Sequence, residues 1–267
     1  MKTNEIVSPN NSAYKALLKL TKARGIKKRG MALISGPKQT REVLKEFRNR
    51  CEGIIFSQNH EPPSGAGDIP SYRLSSELFR QIDSFDTGHP ILIVRFEPFP
   101  EFVPDRGAPG CTLCLPFQDP ANVGSAIRSA AAFGVSKVVM LKESAHPFHP
   151  RSVRAAGSNI FRVQLFEGPP LEQLKSGTVP IISLSPVGED VAGYRFPHEF
   201  CLVPGLEGPG IPDRLGSAMA LSVPMEPGVE SLNAAMATGI VLYLWRIGLG
   251  RGRKGVQEPA PCPSIVE

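Results

Sequence analysis

Short apolar runs that alternate with helical stretches constrain this chain more than any other feature. From residue 111 onward, CTLCLPF (111–117), SKVVML (136–141), FRVQLF (161–166), VPIISLS (179–185), EFCLVPG (199–205) and SAMALSVP (217–224) read as strands. NVGSAIRSAAAFG (122–134) reads as a helix closed by a glycine. Strands that are apolar throughout are buried on both faces, and helices between them specify a covered parallel sheet, an α/β fold. The first third repeats the alternation on a smaller scale. MALIS (31–35), EGIIFSQ (52–58) and PILIVRF (90–96) read as strands, with helices expected over 12–24, 38–50 and 75–82, the last capped by Ser75. Residues 59–70 form a Pro/Gly loop expected to be mobile, and the proline-rich stretch over 98–110 reads as a semi-rigid linker. The expected organisation is a small basic α/β domain over 1–97, a linker over 98–110, an α/β domain over 111–250 and a disordered polar tail over 251–267.

Charge is distributed unevenly. Between Lys15 and Arg50 stand twelve Lys or Arg against Glu42 and Glu46, a local +10 in a chain whose net charge is +5, so the remainder sums to −5. A basic block on a mildly acidic body suits a polyanion, and nucleic acid is the expected partner. No run approaches the roughly 18–20 consecutive apolar residues of a bilayer span. The N-terminal MKTNEIVSPNNSAY has no apolar core of a secretory signal, and five scattered cysteines do not form a disulfide framework. A cytoplasmic location is expected.

In an open parallel sheet, ligands bind at the carboxyl ends of the strands. Four polar or glycine-rich junctions fall there: 118–128, 184–190, 204–212 and 224–233. GLEGPG (205–210) is not the dinucleotide fingerprint, no phosphate-loop pattern occurs, and three of the four junctions lack cations. A weakly charged adenosyl ligand held by backbone groups fits better than a phosphate-bearing cofactor, which disfavours a nucleotide-dependent enzyme. Cys111 and Cys114 sit in a strand expected to be buried, so no metal site is expected; His146 and His149 sit in a proline-bracketed loop expected to touch RNA. Arg128 lies off the apolar stripe of Val123, Ala126, Ile127 and Ala130, with Asn122 and Gly124 leaving room beside the helix.

Three segments, DPANVGSAIRSAAAFGV (119–135), LVPGLEGPGIP (202–212) and LSVPMEPGVESLNAAMATGIVLY (221–243), resemble the signature motifs of the SpoU (TrmH-like) branch of SPOUT RNA ribose 2′-O-methyltransferases. The resemblance covers roughly residues 111–247, and the small N-terminal domain is similar to the RNA-binding domain many members carry. It implies a trefoil-knot methyltransferase domain that binds S-adenosyl-L-methionine at Leu184, Gly205, Leu206, Glu207, Val223, Ser231 and Leu232, and a homodimer through the C-terminal helix. It assigns catalysis to Arg128, with Asn122, Glu207, Ser231 and Asn233 positioning it, and an RNA contact to Arg154. Lys27, Lys28 and Arg29 of the basic block are the further expected RNA contacts. Leu206 stands where the family's second motif usually has Asn, and His146 and His149 stand where Asp and Asn are frequent. A catalytically degenerate RNA-binding member is the alternative. The reaction implied is methyl transfer to a ribose 2′-OH of rRNA or tRNA, with Arg128 stabilising the developing alkoxide, because an arginine is almost never neutral.

Overall fold

The structure is a computed structural model that describes residues 3–103, 109–174, 179–205 and 219–251. The first sheet contains β1 (Thr3–Ile6), β2 (Met31–Ile34), β3 (Cys51–Ser57), β4 (Ser71–Leu74) and β5 (Ile91–Arg95) in the order β1-β4-β3-β5-β2. β5 runs antiparallel to both of its neighbours, while β1, β4 and β3 are mutually parallel. Period-two alternation splits its side chains cleanly. Ile91 and Ile93 of β5 face Tyr14, Leu17 and Leu78, whereas Leu92 and Val94 join Ile26, Val43 and Phe56 on the other face. That second face belongs to the same apolar cluster as the interior of the C-terminal half, so the two sheets share one core.

Two expectations change here. The 12–24 helix is broken into α1 (Ser12–Leu18), a 3-10 turn and α2 (Ala23–Arg29), because Lys22 is extended and Gly25 sits so close to the Lys19 carbonyl that a β-carbon would collide with it. The chain therefore turns back, and α2 ends with Lys27, Lys28 and Arg29 in its last turn, capped by Gly30 at φ 61°. Cations suit that end of a helix dipole. The expected 38–50 helix is α3 (Pro37–Glu46) followed by a separate 3-10 turn, and α4 (Ser76–Ile82) is capped by Ser75 as expected. Towards the 59–70 loop, Arg48 Nη2 donates to the Ala66 carbonyl at 2.9 Å and to Asp68 Oδ1 at 3.1 Å.

The second sheet contains β6 (Gly110–Leu115), β7 (Lys137–Met140), β8 (Gln164–Glu167), β9 (Ile181–Asp190), β10 (Glu199–Val203) and β11 (Met219–Ser222), all parallel, in the order β11-β9-β10-β6-β7-β8. Helices α5 (Pro120–Phe133), α6 (Pro150–Ala156) and α7 (Ala234–Arg251) complete it. β11 does not join β10, which precedes it, but crosses to the far side of β9. Residues 206–218, on whose threading the expected knot depends, lie outside the described residues, as do 252–267 of the expected tail. Before β6, Glu101 bridges to Glu167, and the Phe102 N–H donates to the Glu167 carbonyl at 2.8 Å.

α5 is fixed at both ends and along its length. Asp119 caps it by accepting from the Ala121 N–H at 3.0 Å, Pro120 occupies its first turn, and Gly134 closes it at φ 81°. At Gly124 the backbone of α6 approaches so closely that a β-carbon would collide with the Ser152 carbonyl oxygen. Backbone cannot step aside as a flexible side chain can. Gly124→Ala should therefore destabilise the protein by about 3 kcal/mol, the upper range for overpacking. A urea midpoint equal to wild type would show that the two helices separate without cost.

Candidate active site

The carboxyl ends of β6, β9, β10 and β11 lie along one edge of the second sheet. β9 leaves the ladder there: β11 pairs with Ile182 and Ser183, then with Glu189 and Asp190, so residues 184–188 bulge out between the paired positions. A β-carbon on Gly188 would lie 2.6 Å from Ala220 backbone atoms, so the bulge returns to the sheet through a glycine-limited contact. Leu184 is at the start of this bulge with its side chain in the core, and Gly205 and Val223 follow the ends of β10 and β11, half-buried. Backbone not committed to the ladder is the type of surface that holds a ligand without side chains.

α7 begins at the same edge. Asn233 accepts through Oδ1 from the Met236 N–H at 3.1 Å, and its carbonyl takes the Ala237 N–H at 2.9 Å, which makes it the cap of α7. Its Nδ2 donates to Asn122 Oδ1 in the first turn of α5 at 2.9 Å. Two predicted site residues 111 positions apart in the chain thus meet through their side chains. Ser231 is exposed and Leu232 half-buried just before the cap. Leu206 and Glu207 lie outside the described residues.

Arg128 lies on a different side of α5. Six residues separate it from Asn122, about 240° around the axis at 3.6 residues per turn. Its exposed guanidinium lies beside Gly157, where a β-carbon would be 3.5 Å from Arg128 Nη2 and 3.9 Å from Gln39 Nε2. Gly157 has φ 63°, which a side chain would strain. Arg154, on α6, is also exposed; its guanidinium stacks on Phe85 at 5.3 Å, and its carbonyl accepts from Gln39 Nε2 at 3.0 Å. Sequence reasoning singled out neither Gln39, Phe85 nor Gly157, since a polar residue on an exposed helix face carries no motif signal.

The basic end of α2 lines a cleft of about 800 Å³ between the two halves of the molecule, together with Lys142, Phe99 and His146. Lys27, Lys28 and Arg29 are all exposed, and Lys27 makes a solvated ion pair with Glu167 at 3.7 Å. His146 and His149 serve their own loop. His146 Nδ1 accepts from the Phe148 N–H, and His149 Nδ1 caps α6 by accepting from the Arg151 N–H, both at 3.2 Å. Cys111 and Cys114, three apart on β6, are buried in different core clusters on opposite faces of the sheet, so they cannot converge on an ion. Among the described residues, no helix is long and apolar enough to cross a membrane.

Burial pulls the His146 imidazole down from 6.5 to about 4; the charges of Lys27 and His149 push the same way, and Glu167 opposes them. The unfolded chain therefore takes up this proton first. The contribution of neutral His146 to stability is complete above about pH 6.5 and is lost as pH falls towards about 4. The difference in urea midpoint between wild type and His146→Gln should shrink on going from pH 7 to pH 4.5. A difference that stays constant would show that the ring titrates like a solvated one.

Residues 113–243 match the model of the SpoU rRNA methylase family. The chain is 44% identical over 261 residues to ribosomal RNA small subunit methyltransferase G 2 of Syntrophobacter fumaroxidans, covering 97% of this chain and 51% of that one. It thus spans about half the length of that relative. It is 26% identical over 245 residues to the 23S rRNA guanosine 2′-O-methyltransferase RlmP of Bacillus subtilis, covering 90% of this chain and 98% of the relative. Its fold is similar to the SpoU methyltransferase AviRb of Streptomyces viridochromogenes in complex with AdoMet, with a TM-score of 0.76 at 19% identity over 91% of this chain and all of the other.

Proposed function

The chain belongs to the SpoU rRNA methylase family, and on that premise we propose that it transfers a methyl group from S-adenosyl-L-methionine to a ribose 2′-OH of structured RNA, ribosomal RNA first and tRNA next, in the cytoplasm. The observation that carries this reading is the Asn233–Asn122 hydrogen bond, which ties the start of α7 to the start of α5 at the open edge of the sheet. The names of the relatives support the reaction: RlmP is a ribose methyltransferase, and AviRb was solved with AdoMet.

The residues present fit the cofactor. The bulge at 184–188 and the chain after β10 and β11 offer uncommitted backbone, so Leu184, Gly205, Val223, Ser231 and Leu232 would hold it, with Leu206 and Glu207 completing the set. Bound there, S-adenosylmethionine supplies an electrophilic methyl on a sulfonium. The acceptor hydroxyl is a weak nucleophile, and its oxygen gains negative charge as the new bond forms. Arg128 stabilises that charge with fixed N–H donors, and an RNA phosphate or water takes the proton. Asn122, Ser231 and Asn233 hold the ribose in line, and Glu207 joins them. Alignment alone removes several kcal/mol of the barrier.

Residues 1–97 form the RNA-binding part in this reading, with Lys27, Lys28 and Arg29 on phosphates and Arg154 as a further contact. Replacing Lys27, Lys28 and Arg29 together by Ala should weaken rRNA binding and flatten the slope of log Kd against log salt by about 2 to 3. An unchanged slope would place the phosphates elsewhere.

The protein acts as a homodimer. Met236 and Tyr243 are 58% and 50% exposed on α7, beside a groove against α5 that includes Ser129, Phe133 and Gly239. A second copy covers this face and brings its own Arg128 to the Asn122–Asn233 pair. Arg128→Ala and Asn233→Ala should each be inactive. After verified subunit exchange, their mixture should recover roughly a quarter of wild-type methyl transfer, because half the dimers are mixed and each contains one intact site. Exchange without recovery would place Arg128 and Asn233 in the same subunit's site.

A further inference from the structure

α3 presents one polar stripe to the C-terminal half. Gln39, Glu42 and Glu46 are spaced three and four apart, so they line one face of a helix. Each meets a residue from a second evenly spaced set. Gln39 Nε2 donates to the Arg154 carbonyl at 3.0 Å, Ser158 Oγ donates to Glu42 Oε2 at 2.8 Å, and Arg162 pairs with Glu46. Apolar and cationic contacts reinforce the lower end, where the Phe47 and Phe161 rings lie 5.2 Å apart and Arg162 stacks on Phe47 at 5.6 Å. α3 is therefore held in register against α6 and the turn that follows it.

The upper rung is incomplete. Gln39 Oε1 is buried, and among the described residues it has no hydrogen-bond partner. A buried carbonyl oxygen without a donor is destabilising, so a donor is expected at some stage of the working cycle. A cation near the carboxamide is Arg128. Its Nη2 and Gln39 Nε2 lie 3.5 Å and 3.9 Å from the same point, the place a β-carbon would take on Gly157. Because Gly157 lacks that atom, the point that the guanidinium and the carboxamide both flank is left open. With Nε2 committed to the Arg154 carbonyl, the carboxamide cannot flip, and Oε1 is the only end that can accept from Arg128.

We infer that Gln39 is a positioning residue: during the working cycle its Oε1 accepts from the Arg128 guanidinium and fixes the direction in which that cation faces the ribose. The inference rests on the proposed role of Arg128 and adds to it a residue of the N-terminal part. That part then binds RNA with its basic α2 and also orients the catalytic cation through α3.

The test uses the 267-residue chain in its dimeric form, tritiated S-adenosylmethionine and rRNA extracted from a strain lacking the gene. Gln39→Met keeps the side-chain size and removes both polar ends; Gln39→Glu keeps an acceptor at the same place. Gln39→Met should lower kcat at least about tenfold while the KM for rRNA and the Kd for S-adenosylmethionine change less than about twofold. Gln39→Glu should recover most of the loss. In an Arg128→Lys background, Gln39→Met should add little further loss, because the two changes remove one interaction. Losses that multiply in the double variant, or a Gln39→Met effect confined to KM, would overturn the inference. Full activity in Arg128→Ala would instead sink the reading of Arg128 itself, which separates the two failures.

Discussion

The site depends on how closely α5 can approach its neighbours. Gly124 lets the Ser152 carbonyl of α6 occupy the space of a β-carbon, and Gly239 of α7 leaves only 3.2 Å between its own missing β-carbon and Ser129 Oγ. α5 is thus clamped between two helices through two missing side chains. Both groups of site residues are set by that clamp. Asn122 reaches the cap of α7, and Arg128 reaches the turn after α6. Packed interiors transmit displacement rather than absorb it, so a shift at Gly124 moves both.

Electrostatics adds direction to this frame. The basic block is not spread over one surface, since the break at Lys22 and Gly25 turns α2 so that Lys27, Lys28 and Arg29 border the cleft between the halves. Exposed pairs such as Lys27–Glu167 contribute little to stability and leave the cations available to a polyanion. The loop opposite is held by neutral imidazoles, since both His146 and His149 accept backbone N–H groups through Nδ1. Burial keeps His146 neutral, so this ring adds no charge to the cleft near neutral pH.

The strands of the parallel sheet were legible because each is an apolar run long enough to register, and the cap and glycine stop of α5 marked its ends. β1 and β4 escaped because each is only four residues long, and Asn4, Glu5 and Arg73 interrupt any apolar pattern. The break between α1 and α2 depends on Gly25 meeting Lys19, a contact between backbones that leaves no periodic trace. The motif residues Asn122 and Asn233 could be named from their pattern, yet their mutual hydrogen bond is a tertiary fact. Gln39 illustrates the reverse case. Its stripe with Glu42 and Glu46 reads from sequence as a solvated helix face, and only the position of α6 turns it into a contact.

The separation of Asn122 and Arg128 around α5 has a further physical consequence. A rigid helix that directs one group to α7 and the other to the turn after α6 does not bring both to one substrate atom by rotation about its own axis. Either α5 bends, or the second group comes from another chain. Gly124 does not provide the bend, because its backbone is pressed against Ser152 and any kink there opens the interface with α6. The exposed Met236 and Tyr243 on α7 provide the alternative, an apolar face next to the Asn233 end of the site. The same close packing that makes α5 a precise scaffold within one chain thus agrees with the proposed dimer, in which a second chain would complete the site.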